Sequence, residues 1–167
     1  MKMIGVTGWK DMGKTTLVEM VVQGCVARGV RVSTVKHAHH DVELDTPGRD
    51  SHRHRLAGAA EVVVASGGRI ALIEELRGAP EPPLEALLNR MQAVDLVVVE
   101  GYKTAPHPKL EVFRLSEARG REPLAQSHPG IVAVVGDAVG QPVPVLNPQN
   151  VDEILRFALA AAVEVPR

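Results

Sequence analysis

The chain is poor in aromatic and sulfhydryl groups, with one Trp, one Tyr, two Phe and one Cys among 167 residues. A single cysteine excludes an internal disulfide, and Cys25 falls on the apolar face of an expected helix, where packing suits it better than catalysis. With aromatics at 2%, the core must be built from Val, Leu, Ala and Ile. An excess of one charge is missing as well: 19 Lys and Arg nearly balance 20 Asp and Glu. Such a chain offers no polyanion-wide basic surface, so a nucleic-acid backbone is not expected as its main partner. No run approaches the roughly 18 apolar residues of a membrane span. Met3-Ile4-Gly5-Val6 reads as a strand rather than part of a signal segment, and the expected setting is cytoplasmic, with no membrane partner. The length suits one domain, residues 1–167, large enough to bury a core.

Against these absences stands one dense motif. Gly8-Trp9-Lys10-Asp11-Met12-Gly13-Lys14-Thr15 fits the G-x-x-x-x-G-K-[ST] phosphate loop. It lies between the Met3–Val6 strand and a helix pattern carrying Leu17, Val18, Val21, Val22 and Cys25. Gly8 and Gly13 permit backbone approaches that a Cβ would block, so that successive N–H groups turn inward around a polyphosphate. Lys14 then reaches the β and γ phosphates, the Thr15 hydroxyl is placed for Mg²⁺, Thr16 continues the motif, and the helix start aims its positive dipole end at the anion.

The remaining pattern alternates strands with helices. Val30–Val35 reads as a second strand, and Val62–Ala65 with Ile70–Ile73 as a hairpin across Ser66-Gly67-Gly68-Arg69. Leu84, Leu87, Leu88 and Met91 mark a helix, and Leu96-Val97-Val98-Val99 a buried strand. Lys109–Arg114 alternates as a half-exposed strand, Ile131–Val135 is a buried one, Pro142–Val145 an edge, and Val151–Val163 a closing helix. This order predicts an α/β, three-layer P-loop NTPase fold: a mostly parallel sheet with an antiparallel hairpin portion and ligands at the carboxyl ends of the strands.

A phosphate loop needs an acidic group near Mg²⁺. Glu100-Gly101, after four apolar residues, meets the strand-end requirement; Asp45-Thr46-Pro47-Gly48 has a D-x-x-G form but lacks a buried strand before it. Glu100 is therefore the expected metal-ordering residue. Five of the seven histidines, His37, His39, His40, His52 and His54, fall within eighteen residues. Lys36, Arg49, Arg53 and Arg55 share the segment, which favours an anion-recognising loop over a transition-metal cage, with a solvated loop as the bland alternative. Val134-Val135-Gly136-Asp137 ends a buried strand in a carboxylate. Asp137 could accept from the N1–H and 2-amino group of guanine and repel adenine, or simply cap a turn.

Six blocks occur in order: Gly13-Lys14-Thr15-Thr16-Leu17, Lys36-His37-Ala38-His39-His40-Asp41, Asp45-Thr46-Pro47-Gly48-Arg49-Asp50-Ser51, Arg55-Leu56-Ala57-Gly58-Ala59, Val99-Glu100-Gly101-Tyr102-Lys103 and Pro108-Lys109-Leu110-Glu111-Val112. Together they resemble the molybdopterin-guanine dinucleotide biosynthesis protein B family over nearly the whole chain. The resemblance implies a GTP-binding, slowly hydrolysing protein, usually dimeric, that assists a separate guanylyltransferase joining GMP to molybdopterin. It implies that His37, His39, His40, Asp45, Arg49 and Asp50 line the region beyond the γ-phosphate, where a pterin phosphate, a metal or a partner is met. It also implies that Asp137 reads guanine. The loop interior Trp9-Lys10-Asp11-Met12 departs from the small residues expected there. Two other readings remain at this stage, a small-molecule kinase and a nucleotide-switched metal-delivery adapter. For the dimer, Val62–Ala65, Ile70–Ile73 and Lys109–Arg114 are the expected free edges.

Overall fold

Strand β1 (Lys2–Thr7) runs through the middle of the larger of two units and alternates its side chains between two apolar layers. The computed structural model describes residues 1–38 and 43–165, and His39, His40 and Asp41 lie outside them. The larger unit comprises Met1–His37 and Leu84–Arg167, the smaller one Ala38–Pro83.

In the larger unit β1 leads into helix α1 (Lys14–Val26) and strand β2 (Val32–Lys36). Helix α2 (Asp50–Leu56) and strands β3 (Glu61–Ala65) and β4 (Ile70–Glu74) belong to the smaller unit. The chain continues through helix α3 (Leu84–Arg90), strands β5 (Leu96–Glu100), β6 (Lys109–Phe113), β7 (Ile131–Gly136) and β8 (Val145–Leu146), helix α4 (Val151–Ala161) and strand β9 (Val163–Glu164). The sheet order is β2-β5-β1-β6-β7-β8, all parallel; β9 pairs antiparallel with the start of β1, at Lys2 and Met3.

The three layers follow from strand periodicity. Ile4, Val6, Leu96, Val98, Leu110 and Val112 share one core with Leu17, Val18, Val21 and Cys25 of α1 and Ile154, Leu155 and Ala158 of α4. Met3, Val97 and Val99 point the other way, against Leu84 and Leu88 of α3. Val97, Val98 and Val99 are each 0% exposed, as a central parallel strand covered on both faces requires. Each such side chain contributes about 1.5 to 3 kcal/mol of burial free energy. Cys25 is buried in this core as a packing residue. Among the described residues no helix is long and apolar enough to cross a membrane.

Two expectations are corrected. Lys109–Phe113 is not a half-exposed edge: it lies between β1 and β7 and is buried throughout, so it offers no edge to a second subunit. Its charged residues, Lys109 at 1% and Glu111 at 0% exposure, are tolerated because backbone groups satisfy them. The closing helix stops at Ala161, and the chain turns extended at Ala162 to supply β9. The expected antiparallel hairpin is present, as a two-stranded sheet of its own in the smaller unit. In that unit Arg55 gathers three carboxylates, Glu43 at 2.8 Å, Glu75 at 2.5 Å and Asp45 at 3.7 Å.

Candidate functional site

The phosphate loop joins β1 to α1. A Cβ on Gly8 would lie 2.6 Å from the Val112 carbonyl oxygen, a contact only glycine avoids. Gly13 takes φ +93° immediately before α1, in the left-handed region that glycine occupies without strain. Among the described residues no side chain caps the helix start, and its first turn carries no acid, so the first N–H groups are available to an anion. Met12, fully buried, roots the loop in the core. Among the exposed residues of the first turn are Thr15 and Thr16.

Lys14 folds back onto its own loop and donates to the Trp9 carbonyl at 2.8 Å. Burial pulls its ammonium below the ordinary lysine range; Glu100 opposes that shift, while Lys103 and Lys36 add to it by repulsion. Glu100 ends β5 next to β1, and its Oε1 stands 3.5 Å from Thr15 Oγ1 and 3.8 Å from Lys36 Nζ. Only 9% of Glu100 is exposed, so the carboxylate is held where a hard cation bound to Thr15 would meet it. His37 sits beside the same turn: its backbone N–H donates to the Glu100 carbonyl at 3.0 Å and its ring stacks on Tyr102 with centroids 4.7 Å apart.

Farther along the sheet, Asp137 follows β7. Its Oδ1 accepts from the Leu115 N–H at 2.7 Å, a bond to the segment after β6 and not a cap of its own turn. The carboxylate also lines a cleft of about 530 Å³ with Arg114, Ser116, Asn147 and Gln149. These four were not picked out from the sequence. They come from loops after β6 and β8 that carry no motif, and only the parallel order of β6, β7 and β8 brings them together.

The phosphate loop thus lies on the central strand, with an acid ending one neighbour and a carboxylate-lined cleft two strands away. The profile described as molybdopterin guanine dinucleotide synthesis protein B matches residues 3–137. The chain belongs to this family. It is similar to the molybdopterin-guanine dinucleotide biosynthesis adapter protein of Escherichia coli (strain K12), at 35% identity over 161 residues, covering 94% of this chain and 91% of that one. The protein of the same description from Haemophilus influenzae is 39% identical over 115 residues, 67% of this chain and 63% of that one. Among solved structures, one of molybdopterin-guanine biosynthesis protein B (MobB) superposes with TM-score 0.74 at 25% identity, covering 95% of this chain and 98% of that one. A MobB homologue from Bacillus stearothermophilus gives 0.67 at 29% identity, covering 95% of each chain.

The family's polar block divides between the two units. His37 belongs to the larger one, beside Glu100, and Asp45, Arg49 and Asp50 to the smaller. Asp45 accepts from the Thr46 N–H at 2.8 Å and the Ser51 hydroxyl at 2.9 Å, shaping the turn into α2. Arg49 is the N-cap residue of α2, and Asp50 is exposed, 3.9 Å from Arg53. Among the described residues no three His, Cys, Asp or Glu side chains come together as a metal cage, and His39 and His40 lie outside them.

Proposed function

We propose that this chain binds GTP with Mg²⁺, hydrolyses it slowly, and serves as an adapter in molybdopterin-guanine dinucleotide biosynthesis by assisting a separate guanylyltransferase. The observation that carries the reading is that the phosphate loop and the Asp137 cleft both lie at the carboxyl ends of parallel strands of one sheet, where such folds take their ligands. Relatives described as biosynthesis adapter proteins support the pathway.

Gly8, Gly13 and Lys14 would hold phosphates, and Asp137 would read the base. Thr15 and Glu100 fit a magnesium ion, since a hydroxyl facing a buried carboxylate is an all-oxygen donor pair. When bound, that ion neutralises charge on the phosphate oxygens. For its part, Lys14 exchanges the Trp9 carbonyl for a phosphate oxygen, which brings the positive charge to the ligand without a large chain movement. Glu100 faces Thr15 and Lys36 instead of open solvent, which suits a metal-ordering group better than a general base, and slow turnover follows.

A homodimer is part of the proposal. On one face of the hairpin, Val63 opposite Leu72 and Ala65 opposite Ile70 leave a stripe in which Val63, Leu72 and Ile70 are 57%, 57% and 73% exposed. The same stripe on a second copy is its fitting cover. Leu72→Lys should turn the dimer into a monomer by sedimentation; a dimer that survives it would move the interface elsewhere. Arg49 and Asp50 are assigned to contacts with molybdopterin or the guanylyltransferase, in keeping with a cytoplasmic setting.

Calorimetric titration with GTP and ATP in Mg²⁺, beside Asp137→Ala, tests the core of the reading. Selective GTP binding abolished by the substitution is expected. Equal binding of both nucleotides, unaffected by the substitution, would move the function to a kinase, which transfer of phosphate to molybdopterin would then reveal.

A further inference from the structure

Arg114 is the first residue after β6, and its position is fixed from two sides. Its backbone N–H donates to the sulfur of the buried Met12 at 3.3 Å, so the root of the side chain is tied to the phosphate loop. The guanidinium then lies beside Gly13: a Cβ built there would be 2.9 Å from Arg114 Nη2 and 3.2 Å from Cζ. The same side chain lines the cleft that holds Asp137 and Asn147. Yet among the described residues the guanidinium has no hydrogen bond and no ion pair. Arginines that serve packing or surface electrostatics usually meet a carboxylate or carbonyl, as Arg55 and Arg28 do here. A planar five-donor cation left without a partner, touching the phosphate loop at one end and the base cleft at the other, is prepared for an anion that bridges them.

A nucleotide seated with its terminal phosphates in the loop and its base at Asp137 carries its α-phosphate through that interval. We propose that Arg114 grips the α-phosphate of the bound guanine nucleotide, and so makes the site responsive to a monophosphate that the loop's own lysine reaches poorly. This rests on the guanine-nucleotide reading above. Arg114 is then a binding residue of the nucleotide site supplied in cis. It acts on ground-state affinity for every ligand with an α-phosphate, in contrast to an arginine that stabilises only the γ-phosphoryl transfer.

Competition of guanosine, GMP, GDP and GTP against a fluorescent GDP analogue, on the full-length protein with Mg²⁺, separates these roles. The wild-type chain should prefer GMP to guanosine by about tenfold to a hundredfold, the range of a charge-assisted bidentate contact. Arg114→Ala should bring that ratio close to one, weaken GDP and GTP by the same factor, and leave guanosine unchanged. Arg114→Lys should recover part of the loss, because it keeps the charge and loses the fork. A wild-type chain that binds GMP no better than guanosine, or an Arg114→Ala chain with an unchanged ratio, overturns the proposal. So does an equal loss of guanosine, which would mean the side chain merely shapes the cleft. Adenosine and ATP serve as the control on the parent reading: if they bind as well as the guanine ligands, the guanine reading falls by that test, whereas selective guanine binding with an unchanged GMP ratio sinks the Arg114 role alone.

Discussion

The Trp9 indole N–H donates to the Glu122 carbonyl at 2.9 Å, tying the phosphate loop to the segment that follows β6. Lys103 and Arg121 stand over the same ring, 4.6 and 5.2 Å from its centroid. The bulky residue that departs from the usual small loop interior is thus a strut: the loop's shape is held by neighbours in place of its own compactness.

Because Lys14 is bonded to the Trp9 carbonyl, a nucleotide that draws Lys14 onto its phosphates, as proposed, would change the surroundings of Trp9 directly. Trp9 is the only tryptophan in the chain, so its fluorescence is an unambiguous reporter. GDP or GTP should shift that emission with a saturating dependence, and Lys14→Ala should remove the response while leaving the apo spectrum nearly intact. An emission that ignores nucleotide known to be bound would show that Lys14 does not leave the loop carbonyl.

Gly136 closes β7 opposite Phe113 of β6, at φ +148°. A Cβ there would lie 1.7 Å from the Phe113 carbonyl oxygen, a backbone atom that cannot swing aside. Gly136→Ala should therefore force the strands apart next to Asp137, at a cost of about 3 kcal/mol or more. Chemical denaturation would check the magnitude. A variant within about 0.5 kcal/mol of wild type would mean the strand ends adapt freely.

The loop pattern between β1 and α1, Glu100 at the end of a buried strand and the succession of elements along the chain were legible because each has a local signature: glycines at fixed spacing, an acid after an apolar run, turn residues between periodic segments. Asp137 was visible only through two alternative readings, and the structure ties it to the Leu115 N–H of the segment after β6 while setting it in the cleft. Lys109–Phe113 misled because alternation of charged and apolar residues ordinarily marks a surface. Here Lys109 satisfies its ammonium with the Ala105 and His107 carbonyls, and Glu111 its carboxylate with two N–H groups, which no periodicity reports. Arg114, Ser116, Asn147 and Gln149 stayed hidden for a different reason: their association is purely tertiary.

His107 gives the fold a dependence on pH. It is 4% exposed, and among the described residues both ring nitrogens lack a partner. Burial first, then the Lys109 ammonium, hold its pKa down to about 4 from 6.5, with Glu85 opposing. Between those values the unfolded chain binds a proton that the folded chain refuses, so stability from this group is full above pH 6.5 and is lost as pH falls toward 4. The loss is on the order of 3 kcal/mol. Urea midpoints at pH 7 and pH 4.5 should converge more for His107→Leu than for wild type. Identical pH slopes for the two chains would place the proton uptake elsewhere.

Glu111 links the buried sheet to the loop that braces Trp9. Its Oε1 accepts from the Leu124 N–H at 2.7 Å and its Oε2 from the Ala125 N–H at 2.9 Å, with the side chain 0% exposed. Burial raises the carboxyl above its ordinary range, and the two N–H donors oppose that shift, so the group is anchored by geometry in a medium that disfavours its charge. Glu111→Ala leaves both donors buried and unmatched, a cost of about 2 to 5 kcal/mol. Glu111→Gln keeps the volume and one acceptor, but turns an amino group toward the second N–H, and should cost less. Since Glu122 precedes this anchor by two residues, both variants should also loosen Trp9, seen as a red-shifted emission and weaker nucleotide binding, with Glu111→Ala ahead of Glu111→Gln. Stability lost without any change at Trp9 would show that the anchor supports the core alone and that the loop brace stands independently of it.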